Sequence, residues 1–204
     1  MKTPIFAPRA LIVTCAVTFI SGRETNFVGQ GQSTQSGRAS AMKTGPVPLL
    51  LEKNEGEQRI WRDPPPGGFM LKVSPKNNGS QHLVMGTEEL VPGSVIPRHK
   101  HLGQDEIVFV QSGTLHFWLG DQERDLHAGG MAFIPAYAWV SLKNNSTQPA
   151  SMVFVFSAPD FENHLRCVSV LANEKPTPLS PEEHEQCDHA GHVVYKELKK
   201  ESVK

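Results

Sequence analysis

The chain has 204 residues, with 20 Lys and Arg against 21 Asp and Glu and a formal net charge of −1, a length that suggests one domain with extensions. Balanced charge leaves no basic excess to attract nucleic acid and no polybasic patch for anionic lipid. With 17 Gly and 16 Pro and only short apolar runs, the composition suits turns and strands rather than a helical bundle.

Residues 1–22 read as a secretory signal peptide. Lys2 and Arg9 supply positive charge, Ala10 to Ile20 (ALIVTCAVTFI) is uncharged and apolar, and Ser21 and Gly22 are small. The apolar run is too short to cross a bilayer comfortably and fits the hydrophobic region of a signal. A buried strand or an uncleaved anchor is the competing reading. Export to the periplasm or medium is expected, with no stable membrane insertion after cleavage near Gly22. Removing the signal removes Cys15 and leaves Cys167 and Cys187. These two either pair in an oxidising compartment or remain free thiols, and sequence supplies no distance to decide.

Residues 23–56 contain GQGQSTQSGRAS and lack apolar periodicity, as a flexible linker does. Residues 57–160 break into short segments rich in β-branched and aromatic residues: RIW, FMLKVSP, HLVMGTEEL, VPGSVIPRHKH, DEIVFVQSG, TLHFWLGD, MAFIP, AWVSLKN and ASMVFVFSAP. Gly, Pro, Asn or Asp bounds each one, and no helix intervenes. That spacing predicts an all-β antiparallel sandwich or barrel. Lys72, alternating with apolar neighbours, is expected to face solvent. Residues 161–204 form a C-terminal extension. DFENHLRCVSVL suggests a short amphipathic helix. SPEEHEQCDHAGH begins a second one, with Ser180 as N-cap, Pro181 at the first position, Glu183 completing a capping box and Gly191 as the stop. KELKKESVK reads as a solvated tail.

The chemistry concentrates between Gly93 and Gly113, in GSVIPRHKHLGQDEIVFVQSG. On a strand, His99 and His101 share one face and Lys100 takes the other. Gly103 permits a turn, and a hairpin brings Glu106 opposite the two imidazoles. Two histidines and one carboxylate on one side of a metal leave open positions for a ligand. Two surface histidines on a solvent-facing strand are the plain alternative. The whole pattern, G-x5-H-x-H-x4-E-x6-G through Gly93, His99, His101, Glu106 and Gly113, closely resembles the first motif of the cupin superfamily. The second cupin motif is matched in part. Gly129, Pro135 and Asn144 stand in place, Tyr137 stands where a glycine is usual, and Val140 stands where a fourth ligand, a histidine, is usual.

The resemblance implies a double-stranded β-helix, or jelly-roll barrel, with its site inside the barrel mouth. It implies one divalent metal ion (iron, manganese, nickel, copper or zinc) on His99, His101 and Glu106. It further implies a metal-dependent dioxygenase acting on a small aromatic or flavonol-like compound, with Glu106 as a catalytic base, and a homodimer. Val140 leaves a second outcome open: a degenerate site in a non-enzymatic protein that binds a small organic molecule or a metal. Tyr137, Trp139 and Val140 are the expected pocket residues, and Trp118 and Phe133 the expected core. His82 and His116 are candidate replacement ligands, with a plain structural role as the simpler reading. His184, Cys187, His189 and His192 invite a zinc site, against which stands a capped helix covering the barrel. P-loop and G-x-S-x-G patterns do not occur in the sequence, so nucleotide and ester chemistry find no support.

Overall fold

Alternating apolar residues between tight turns fold here into two antiparallel sheets whose inner faces form one core. The computed structural model describes residues 46–77 and 79–196. The expected signal peptide at residues 1–22, most of the expected linker at 23–56 and the end of the expected tail lie outside the described residues. In chain order the strands are β1 (Glu57–Trp61), β2 (Gly68–Val73), β3 (Val84–Leu90), β4 (Val95–His101), β5 (Glu106–Ser112) and β6 (Thr114–Leu119). They continue with β7 (Gln122–His127), β8 (Met131–Ile134), β9 (Val140–Lys143), β10 (Ala150–Phe156), β11 (Ser169–Leu171) and β12 (Val193–Tyr195). Two helices, α1 (Phe161–Cys167) and α2 (Pro181–Ala190), lie between β10 and β12.

One sheet runs β11-β1-β2-β3-β10-β5-β8 and the other β12-β4-β9-β6-β7. The period-2 pattern shows plainly on β10, where Ala150, Met152, Phe154 and Phe156 are buried. They pack with Val108 and Val110 of β5, Leu115 and Phe117 of β6, and Val140 and Leu142 of β9. This is the expected all-β jelly-roll barrel with a helical extension. The extension is more than helical, because its β11 and β12 complete one edge of each sheet.

Two motif residues act through the backbone. Gly113 takes φ +75°, and a Cβ there would lie 2.8 Å from the Ala150 backbone, so only glycine fits the β5–β6 turn. Asn144 is fully buried. Its amide donates to the carbonyls of Leu90 and Gln148, and its oxygen accepts from the backbone N–H and hydroxyl of Ser146. All its hydrogen-bonding capacity is used, which ties the turn after β3 to the turn after β9.

Several expectations need correction. Lys72 lies on the outer face of β2 but is buried, because its ammonium donates to the carbonyls of Glu52, Lys53 and Glu55. The turn before β1 therefore wraps around this cation, whose three N–H groups are all used. Phe133 is 51 % exposed, since Ala132 and Ile134 take the inner positions of β8. Trp118 is half-buried on the outer face of β6, its ring 4.2 Å from that of His116. His116 bonds Asp125 and Glu123 of β7, and His82 is exposed on a loop. Neither replaces a missing ligand.

The C-terminal helix forms as its start signal requires. Ser180 accepts from the Glu183 N–H, and Glu183 accepts from the Ser180 N–H. Cys167 and Cys187 form a disulfide with Cα atoms 5.4 Å apart, which resolves the open question and removes Cys187 as a zinc ligand. His184 pairs with Asp63 at 3.1 Å, His192 approaches Asp160 at 3.8 Å, and His189 is exposed. The zinc reading for this cluster is abandoned. An ion network anchors α1. Buried Glu162 accepts from the Ser74 hydroxyl and from Arg166, and Arg166 also grips Glu57.

Candidate metal centre

β4 delivers both histidines to the interior. His99 and His101 are 5 % and 1 % exposed, while Lys100 between them holds its ammonium 5.0 Å from the ring centre of Trp139 on the other side of the sheet. Gly103, at φ +90°, turns the chain, and Glu106 opens β5 with its side chain buried. One potential ligand atom from each of the three residues falls within 4.8 Å of the other two. The triad expected from spacing alone is assembled.

The polar atoms of this cluster are poised for a cation. The Nδ1 of His99 lies 2.7 Å from the carbonyl of Pro97. A carbonyl only accepts, so Nδ1 carries the proton and Nε2 keeps its lone pair, the arrangement that a metal-ligating imidazole requires. Burial, and next the neighbouring His101, push the His99 pKa below its ordinary value, which favours the neutral form that ligates. His101 is wedged between Phe156 and Phe161, with ring centres 5.0 and 4.8 Å away. Neither of its nitrogens makes a hydrogen bond. Its Nε2 is 3.2 Å from a Glu106 carboxylate oxygen, yet the angular geometry of a hydrogen bond is not met. A close pair without a bond is what two donors to a common ion look like. The residues present fit a divalent metal.

The neighbours of the triad follow from the register. His99 pairs with Val140 on β9 to one side and with Tyr195 on β12 to the other, so both flank the same face. Val140 is fully buried and puts an isopropyl group beside His99 where an imidazole is usual. Tyr137 keeps a left-handed backbone, φ +69°, at the position where glycine is usual. Its N–H donates to the carbonyl of His101 at 2.8 Å, so the turn survives the substitution and still braces the ligand strand.

The triad opens on a cavity of about 600 Å³, a size that takes a small organic molecule. Its walls are largely apolar and include Trp61, Pro65, Leu90, Ile96, Phe154 and Phe161. His99 and Glu106 are among its lining residues. The expected pocket residues are not part of it. Tyr137 is 63 % exposed, Trp139 faces Lys100, and Val140 is sealed in the core. Tyr137 and Trp139 lie in the turn between β8 and β9, outside the cavity lining, whereas α1, α2 and β12 contribute to that lining.

Three polar residues that sequence reasoning passed over line the cavity: Glu88, His164 and Tyr195. His164 on α1 approaches Asp188 at 3.3 Å and the Tyr195 hydroxyl at 3.4 Å. Burial, foremost, pushes His164 down to about 4 and Asp188 up to about 6. The contact is therefore between a neutral imidazole and a carboxyl with a weakened hold on its charge, not a firm ion pair. Burial also raises the Tyr195 phenol. Glu88 is raised to about 8, by burial first and by the charge of Glu106 after it, against a bond from the Trp61 side chain. Its inward spacing with Val84, Gly86 and Leu90 was readable in the sequence. Nothing local marked His164 or Tyr195.

Residues 86–156 match the family described as cupin domain. A comparison with curated proteins finds no similar sequence. Among solved structures, a protein of Thermus thermophilus is 29 % identical over 39 % of this chain and 75 % of its own, with TM-score 0.38. KdgF from Halomonas sp. is 21 % identical over 48 % and 84 %, with TM-score 0.42. A predicted oxalate decarboxylase from Thermotoga maritima is 19 % identical over 54 % and 99 %, with TM-score 0.48. The family match spans β4, β5 and β9, the strands that carry the triad and Val140, so residues 86–156 form a cupin domain within this chain.

Proposed function

We propose that this protein is a metal-dependent enzyme whose single divalent ion is held by His99, His101 and Glu106, and that it acts as a dioxygenase on a small aromatic compound seated in the adjoining cavity. The observation that carries this reading is His101, an enclosed imidazole with neither nitrogen bonded. An unsatisfied buried polar group costs roughly 1–3 kcal/mol, and a shared cation removes that cost for all three side chains. Bound there, a divalent ion supplies a Lewis-acid centre with open coordination positions. The protein's own part is to exclude water with apolar walls, to hold a flat ligand against Phe154 and Phe161, and to keep His99 neutral. Glu106 faces both the triad and the cavity, and so is available to accept a proton from a ligand hydroxyl.

The test is elemental analysis of protein purified without chelator or histidine tag, beside a His99→Ala/His101→Ala variant, followed by substrate-dependent oxygen uptake. About one equivalent of iron, manganese, nickel, copper or zinc, lost in the variant, supports the metal site. Oxygen uptake that needs the metal supports the dioxygenase. Full turnover by Glu106→Gln with metal retained would rule out its role as base. The buried Val140 beside His99 favours one other reading, a non-enzymatic binding protein. Metal-free protein with a co-purifying small molecule would select it.

We further propose export, for which the Cys167–Cys187 disulfide is the supporting feature, since such bonds persist in oxidising compartments. A homodimer is proposed on the outer face of β5 and β8, where Ile107, Phe109, Met131 and Phe133 lie exposed in adjacent register. Light scattering of Phe133→Glu against the parent chain tests it.

A further inference from the structure

The cavity has a second polar pole that the metal reading does not use. β3 turns Val84, Gly86, Glu88 and Leu90 to the interior. Three of these are ordinary core residues, and the fourth is a carboxyl. Glu88 pairs with Phe69 on β2 and Met152 on β10, and Met152 pairs with Val110 on β5. Glu106 pairs with Phe156, which pairs with Val84. Glu88 therefore stands two strands away from Glu106 and four residues further along, about 13 Å at about 3.3 Å per residue. Both line the same cavity. The partial accessibility of Glu88 is accessibility to that cavity, beside Trp61 and the Pro64–Pro66 rim.

The charge of the walls limits what can meet it. The acidic lining residues are Asp63, Glu88, Glu89, Glu106 and Asp188, and among the described residues no Lys or Arg lines the cavity. An anionic group at the Glu88 end would meet carboxyls and no cation. With its pKa raised to about 8, Glu88 holds its proton at neutral pH and can both donate and accept a hydrogen bond.

We propose that Glu88 contacts the ligand, hydrogen-bonding an uncharged hydroxyl or carbonyl at the far end of an elongated, mainly apolar molecule, and that it excludes ligands with an anion at that end. The proposal rests on the cavity being the ligand site, as the functional reading holds, but not on the metal.

The test uses the full chain after chelator treatment, so that no metal draws the probe. Equilibrium dialysis at pH 6.5 compares 4-phenylphenol with 4-phenylbenzoate. The phenol is expected to bind at least about tenfold more tightly than the benzoate. Glu88→Met, of similar volume without the hydrogen bond, should weaken phenol binding by about tenfold, and Glu88→Gln should restore most of it. Thermal unfolding of each variant checks that it folds. Equal affinity of the parent chain for the two probes, no binding of the phenol, or undiminished binding by folded Glu88→Met overturns the proposal. A parent chain that takes up no metal would sink the metal-dependent reading and leave this result standing.

Discussion

Breaking the Cys167–Cys187 bond should destabilise the protein by an amount that its position allows one to calculate. The bond spans a sequence separation of 20 residues, for which the chain-entropy relation gives about 3.3 kcal/mol at 25 °C. For a domain of this size that corresponds to a melting temperature lower by roughly 7–13 °C. The effect should reach His99 and His101. α2 ends at Gly191, where a Cβ would lie 2.2 Å from that of His164, so the two helices meet without room to shift. From there the Gly191 carbonyl accepts from Gln104, and the His192 carbonyl accepts from the Leu102 N–H. β12 then pairs Val193 with His101 and Tyr195 with His99. The assay is urea unfolding of a Cys167→Ser/Cys187→Ser variant against the oxidised parent, with unreduced peptide mapping to show the bond. A loss below about 1 kcal/mol with the bond present in the parent would refute the loop-entropy reasoning, and would mean that the unfolded chain without the bond keeps residual structure in this segment.

Further outcomes follow from other residues. Saturating metal should raise the melting temperature of the parent chain and not of His99→Ala/His101→Ala; at a thousandfold excess over Kd the gain is about 4 kcal/mol. A carboxyl raised in the fold stabilises at low pH and loses that contribution as pH rises. For Glu88 the window runs from its ordinary 4.5 to about 8, so stability should decline across it, by at most about 1.4 kcal/mol per pH unit. Glu88→Gln should flatten that decline in urea titrations at pH 5, 6.5 and 8. Tyr137→Gly should raise stability by about 0.5–1 kcal/mol, because it relieves a left-handed backbone while removing a mostly exposed ring, partly offset by the added freedom of the unfolded chain. Arg166→Ala should lower stability by about 2–4 kcal/mol in the same measurement, because Glu162, 2 % exposed, loses its cationic partner.

How much of this was legible depended on whether the deciding interaction is local. β10 and the capped α2 could be read directly, because period-2 burial and a Ser-Pro-x-Glu start are set within a few residues. The triad was legible for the same reason. One turn at Gly103 separates its two strands, so spacing alone predicts which side chains meet. β11 and β12 were missed, since three-residue strands carry no period and exist only because β1 and β4 offer edges. Lys72 was misjudged because alternation states which face a side chain takes, not what covers that face. Its cover is a turn some twenty residues upstream, which no pattern around Lys72 reports.

The pocket shows the limit most clearly. Tyr137 and Trp139 were expected in it because they flank the site strand, yet Tyr137 is largely exposed and Trp139 packs beside Lys100 on the other side of the sheet. The wall is instead assembled from residues far apart in the chain, Trp61, Glu88, Phe161, His164 and Tyr195, and α1 and β12 position the last three. The family match ends at residue 156, before either of those elements begins. His99, His101 and Glu106 thus lie within the matched residues, while part of the cavity wall, including Phe161, His164 and Tyr195, lies beyond them. A variant in which residues 161–196 are loosened should therefore disturb both His99 and His101, through β12, and the cavity wall, so the disulfide variant is expected to lose metal uptake and binding of the neutral probe together when both are measured on one preparation.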